Sequence, residues 1–424
     1  MARLLRLKLL FGVGFGISAF VYPEKGVALG PGGAGANVGS EQFNLSDVGP
    51  LSGPWSISGG VDGFGSVLNN PTPTIDGRNE YVSYSIGEAV ITVQKTAGWL
   101  QFYYSGGAWQ ALTMGLTSDY GTFNTLARLG STTNPLPTPT FKWYFLIRPS
   151  KYWGIQAGEN PSLEGIEVGY DFINPTFFVS QLNNTELTPA YGPQLNLYYG
   201  PATFNLQFSD GYKKDRFNTL SALLTYNLNP SGSDYVIGFG HTVLGHTLNP
   251  VYGAGFSELN SSLIGAGAQL VFGPWTVMPE AQYQWLPKSS VSDPAVNPAP
   301  RTTYYAAAAM VDVTYEFTRR WSLTVQPQIF YQNSDKNDPN QNLFGNWLQF
   351  DVAPGPGTFS PGTTMFGLQI TPTWQEKNFF IRPTIAWTHV SGFTPGTGYG
   401  HNGTDPNQVV GVMEVGFLIG KYGA

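Results

Sequence analysis

Between Gly192 and Asn229 the chain changes character at every second residue. Leu195, Leu197 and Tyr199 alternate with Gln194, Asn196 and Tyr198. Past Gly200-Pro201, Phe204, Leu206 and Phe208 alternate with Thr203, Asn205, Gln207 and Ser209. After a polar stretch from Asp210 to Arg216, Leu220, Ala222, Leu224, Tyr226 and Leu228 alternate with Thr219, Ser221, Thr225 and Asn227. Successive side chains of a strand point to opposite faces, so each segment has one apolar and one neutral polar face. An ordinary solvent face would carry charge, and this one does not. Apolar against uncharged polar, with connections that are tight and then long, is the pattern of a transmembrane antiparallel β-barrel.

Composition supports that reading. Charged residues are 11% of the 424 and aromatics 15%, against roughly 25% charged in a typical soluble domain. A mean hydropathy of -0.11 is too polar for a bundle of membrane helices, whereas alternating strands average apolar and polar positions. Cysteine is absent, which excludes disulfides, zinc–thiolate sites and thiol catalysis.

Residues 1–28 read as a signal peptide, with Arg3, Arg6 and Lys8 before an apolar run, Leu9 to Val21, too short to span a bilayer as a helix. The small-residue stretch Gly26-Val27-Ala28 is the candidate cleavage site. Removing this segment lowers the 21 basic residues to 17 and the 27 acidic residues to 26. A net acidic chain without a basic stripe excludes a nucleic-acid binder.

Residues 29–53, rich in Gly, Pro and Ser, read as a flexible periplasmic lead-in, and 54–424 as the barrel. About sixteen strands are expected, starting near Trp55, Ala89, Leu100, Phe141, Trp153, Pro193, Ala202, Asn218, Asp234, Ser261, Trp275, Thr302, Trp321, Thr363, Phe379 and Gln408. Short periplasmic turns alternate with long extracellular loops at 68–88, 112–140, 160–191, 210–217, 245–260, 288–300, 334–362 and 391–407. The run 346–353 is assigned to the seventh of these loops. Trp99, Tyr152, Trp153, Tyr235, Trp275, Trp321, Phe379 and Phe380 flank the turns as an interfacial girdle. Pro279, Pro327, Pro372 and Pro383 fall on the lipid-facing parity and are expected to mark bulges, since proline cannot donate to a ladder. A propeller would repeat a blade motif about every 40 residues, and none is seen.

The run YGPATFNLQFSDGYKKDRFNTLSALLTYNLN (199–229), with GEAVITVQKTAGWLQFYYSGG (87–107) and IQAGENPSLEGIE (155–167), resembles segments of the bacterial outer-membrane β-barrel porin-2 (OmpL-like) family. The likeness covers most of 85–230, and the later half by pattern alone. It implies an outer-membrane barrel acting as a diffusion channel, with no particular substrate. One departure concerns the terminal aromatic of such barrels, because here the alternation ends Met413, Val415, Phe417, Ile419, followed by GKYGA.

No catalytic, cofactor or metal site is expected. His241 and His246 have no carboxylate or cysteine at ligand spacing, and all four histidines read as solvated loop or strand-end residues. Inward parity falls on Asp62, Lys142, Tyr144, Arg148, Gln156, Gln194, Asn196, Asn205, Gln207, Gln269, Glu280, Gln282, Gln284, Asp312, Glu316, Gln326, Gln328, Arg382 and Glu414. Such a polar list suits a water-filled lumen. The third long loop, 160–191, mixes apolar residues with Glu164, Glu167 and Asp171 and is expected to fold inward. Its carboxylates, with Glu159 and Glu186, would then face Lys142, Arg148 and Arg382 across a constriction with a mild cation preference. The expected protein is a porin, trimeric or monomeric, set in outer-membrane lipid and passing small hydrophilic solutes or ions without a cofactor. A structural or adhesive barrel with a closed lumen and an outer-membrane hydrolase remain as rivals.

Overall fold

The structure, a computed structural model, describes residues 41–70, 80–108, 112–115, 140–167, 173–187, 189–211, 217–244, 261–286, 304–333, 362–393, 395–396 and 398–419. The signal segment, the long loops at 245–260, 288–300 and 346–353, His246 and Asp171 lie outside them.

Sixteen antiparallel strands close into a barrel. They are β2 (Gly53–Asn69), β3 (Glu80–Lys95), β4 (Leu100–Ala108), β5 (Thr140–Ser150), β6 (Trp153–Asn160), β7 (Ala190–Tyr199), β8 (Ala202–Ser209) and β9 (Thr219–Asn227), followed by β10 (Tyr235–Val243), β11 (Ser262–Phe272), β12 (Trp275–Leu286), β13 (Tyr304–Thr318), β14 (Trp321–Gln332), β15 (Thr363–Glu376), β16 (Phe379–Ser391) and β17 (Asn407–Ile419). Each pairs with its sequence neighbour, and β17 pairs with β2 from Val409↔Asn69 to Ile419↔Gly59. Closure removes every edge, as a spanning sheet requires in a medium that cannot hydrogen-bond to it.

A short strand precedes the barrel. β1 (Glu41–Leu45) pairs with the start of β2, Glu41↔Ile57 to Leu45↔Gly53, on the side of β2 that β17 leaves at Gly59. The described part of the expected lead-in is thus a strand followed by a one-turn 3-10 helix, Gly49–Leu51.

The tight turns are chemically determined. Gly200 and Gly273, each followed by proline, take φ of +56° and +62°, a conformation open to glycine and costly for a side chain at the first position of a two-residue hairpin. Burial alternates along the strands as the sequence pattern predicts, for example buried at Thr203, Asn205, Gln207 and Ser209 and less so between them. Trp99, Tyr152, Trp153, Trp275, Trp321 and Phe379 stand exposed beside the turns, where amphipathic rings suit the membrane interface. Phe380 is a correction: it is fully buried and faces inward, in space left by Gly416, whose Cβ would meet its ring.

The prolines are a second correction. All four lie on the outward parity, yet none shifts a register. Pairing lapses beside each and resumes in the same register, and Pro372 and Pro383 fall within one shared lapse between Ile370↔Ile385 and Trp374↔Ile381. Real register shifts sit at Val61/Gly63, Ser105/Gly106, Ile147/Ser150 and Glu316/Thr318. A proline costs one donor to one neighbour, and a barrel strand tolerates that loss without inserting a residue.

Candidate functional site

Of the inward list, Arg148 is only half-buried and Glu316 is exposed; the others are buried. They were expected to face water. Instead the inward surface is covered, and much of it is bonded to 163–187 or to its own neighbours.

The described residues 163–167 and 173–187 have little regular structure, so their backbone needs partners from elsewhere. Glutamine side chains supply them, since an amide both donates and accepts. Gln369 of β15 donates to the Phe178 carbonyl at 2.7 Å and accepts from the Phe178 N–H at 3.3 Å. Gln328 of β14 accepts from the Gln181 N–H at 2.8 Å. On β16, Arg382 donates Nη1 to the Asn174 carbonyl at 2.7 Å and Nε to Glu414 of β17 at 2.6 Å. A five-residue helix, α1 (Gln181–Thr185), begins at Ser180, whose hydroxyl accepts from the Asn183 N–H as an N-cap. Val179 forms a parallel bridge with Thr113 and exchanges backbone bonds with Leu112 and Met114.

Apolar packing completes the attachment. Leu163, Ile166 and Leu182 join a cluster with inward Phe239, Met278, Met310, Phe330 and Met365. Phe177 and Phe178 join Phe64, Leu68, Val410 and Val412. These inward apolar positions break the polar-in rule of a water channel, and the sequence reading missed them.

Acidic groups concentrate on this segment. Glu164 Oε1 lies 2.6 Å from His241 Nδ1 of β10, and its other oxygen accepts from the Leu187 N–H at 2.8 Å. Glu167 accepts from Ser180 through N–H and hydroxyl, and from Gln326 of β14 at 2.9 Å. Glu280 of β12 accepts from the Ile166 N–H and from Gln282, both at 2.7 Å, and Gln282 also donates to Glu186. Gly165 takes φ +73°, and a Cβ there would sit 2.2 Å from Glu186 Oε1. Burial, opposed by the Ser180 bonds, pushes the Glu167 carboxyl up to about 7. Burial, with Glu280 and Glu164 alongside, raises Glu186 well above the usual carboxylate range.

The expected constriction residues therefore separate. Glu164, Glu167 and Glu186 come together with Glu280, and Arg382 bonds the same segment at Asn174. Lys142 and Glu159 are buried on β5 and β6, with Glu88 and Glu159 acting on Lys142 electrostatically. Arg148 stands apart, beside the short turn that follows β5, donating to the Lys151 carbonyl and lying 4.2 Å over the Tyr198 ring. Asp171 is not described. His241 is the residue whose environment was misread: it is a buried strand residue, not a solvated one. Among the described residues no group of three or more His, Asp or Glu is arranged to hold a metal ion.

A sequence model of the family described as "Putative beta-barrel porin-2, OmpL-like" matches residues 54–419. No curated protein matches in sequence. Among solved structures, the chain is similar to a Salmonella typhi OmpF in complex with daunomycin, with 10% identity, 89% of this chain and 100% of that one covered, and a TM-score of 0.50. It is also similar to the outer membrane channel DcaP of Acinetobacter baumannii, at 12% identity over 93% and 100% of the two chains with a TM-score of 0.46. An anion-selective porin from Comamonas acidovorans matches at 9% identity over 86% and 99%, with a TM-score of 0.48.

Proposed function

The chain belongs to the porin-2, OmpL-like family, and from that premise we propose a porin of the bacterial outer membrane through which small hydrophilic solutes diffuse passively. Segment 160–191 is its constriction. The carrying observation is the row of inward polar side chains, Glu280, Gln326, Gln328, Gln369 and Arg382, each bonded to an irregular segment, with Gln326–Gln369 and Arg382–Glu414 also linked across neighbouring strands. A barrel of sixteen strands is wider than its own side chains fill. A segment held on one side of that lumen reduces the passage without abolishing it. The covered inward wall supports a second reading, a barrel whose lumen is shut and whose role is structural.

Recording across a planar bilayer decides between them. The purified full chain should give discrete conductance steps, and a variant lacking 173–186 should give larger ones. Silence from both proteins, correctly folded, would end the porin reading. A homotrimer is proposed as the assembled state, and crosslinking in native membranes tests it.

A further inference from the structure

The ionisable inward residues bonded to 163–187, His241, Glu280 and Arg382, lie on β10, β12 and β16, and the opposite character appears on β7, β8 and β9. Among their described residues from Gly192 to Asn227, the inward positions carry amides and hydroxyls apart from Gly192 and Leu223, and no charge. Part of this surface is satisfied internally. Gln194 donates to Asn196 Oδ1 at 2.6 Å, Asn205 donates to the same oxygen, and Asn196 donates to Gln156 Oε1 at 3.4 Å. Seven polar atoms are left over: Gln194 Oε1, Asn205 Oδ1, Thr203 Oγ1, Thr219 Oγ1, Ser221 Oγ, Thr225 Oγ1 and Asn227 Nδ2. Their side chains are all at least nine-tenths buried.

Buried polar atoms without partners are rare because each forfeits the hydrogen bond it had in water. Seven on one wall call for a polar guest, and their identities specify it. The two amide oxygens can only accept, the Asn227 amide nitrogen can only donate, and the four hydroxyls do either. A metal or ammonium ion would suit the oxygens and be repelled by the amide donor; an anion would find a single fixed donor. A hydroxyl group serves every member of the set. The spacing also fits, since Thr203 faces Thr225 and Asn196 faces Asn205 directly across strands, at about 4.5–5.5 Å between Cβ atoms.

We propose that the inward face of β7–β9 is a binding wall for uncharged, polyhydroxylated solutes of the saccharide class. This rests on the porin reading and names its substrate class. The test uses the full chain in planar bilayers with maltotriose as probe and a sugar acid of similar size as the charged comparison. Maltotriose should interrupt the ion current saturably and at lower concentration than the sugar acid. Thr203→Val with Thr225→Val, which keep side-chain shape and remove two hydroxyls, should raise the half-blocking concentration about tenfold.

Ion current that flows in the wild type but is indifferent to maltotriose would overturn the wall and leave the porin standing. Equal block in wild type and variant would overturn it as well. If the double variant fails to fold, equal block of the wild type by the two sugars overturns the proposal, and preference for maltotriose supports it. Absence of any current removes both readings.

Discussion

His241 Nδ1 and Glu164 Oε1 lie 2.6 Å apart with both side chains fully buried, tying β10 to the irregular segment that follows β6. Glu164 also accepts from the Leu187 N–H, so this one contact fixes both ends of the segment to the barrel wall.

Replacing His241 with Ala should destabilise the attachment of 163–187 by about 3–5 kcal/mol, because a buried carboxylate then loses its partner. His241→Ala combined with Glu164→Ala should cost less than the sum of the single changes. Limited proteolysis within 163–187, read against urea concentration, measures all three variants; strict additivity would mean that the contact is energetically idle.

Gly165→Ala should loosen the same segment. The backbone at φ +73° costs a side chain about 1–2 kcal/mol, and the new Cβ would displace the Glu186 carboxylate. Larger single-channel conductance and faster cleavage in the segment are the expected readouts. Gly200→Ala, at the tight turn with open space around it, should leave both unchanged.

The attachment should weaken as pH rises. Glu167 has its carboxyl pushed up to about 7 in the folded state, so the folded form holds a proton that the unfolded chain releases near the ordinary value of about 4.3. Stability from this group is therefore fullest below about pH 4 and is lost progressively up to about pH 7. Glu186, also raised, extends the loss upward. Conductance should climb and cation preference grow over that range, and Glu167→Gln should flatten the response. A reversal potential in a salt gradient that ignores pH would place these carboxylates off the solute path.

On the outer face, Leu224→Arg should cost about 2–4 kcal/mol near the bilayer midplane, because Leu224 is exposed on the outward side between Phe204 and Gly238. Leu224→Ala should cost far less. Unfolding titrations in detergent or lipid measure the difference, and similar costs for the two would refute the facing of β9.

The barrel was largely legible because period-two alternation and glycine turns are local signals. Leu100, Trp153, Ala202, Trp275, Trp321, Thr363 and Phe379 begin strands where expected. β3 begins at Glu80 rather than Ala89. In its first residues Val82 and Tyr84 face out but are interleaved with serines, which in sequence resemble a polar loop. The interior was less legible. Gln328 and Gln369 were indistinguishable from channel-wall glutamines, and Gln369 was not singled out, because what they bond arrives from a segment about 150–190 positions away. His241 was misread for the same reason: the partner that buries it lies on another part of the chain. Side-chain parity is a property of one strand, whereas burial inside a lumen depends on which segment enters it.

The way β1 and β17 share β2 has a kinetic meaning. Strand β2 is the seam of the cylinder: it receives its sequence neighbour β3 along one side, and along the other it receives β17 above and β1 below, end to end. The lower pairing spans a dozen residues or so of chain and forms at little loop-closure cost, whereas the upper one must bring together strands from opposite ends of the barrel. The local partner can therefore dock first and hold the β2 edge in register, like the box at the foot of a zip, before the distant strand arrives to run up it.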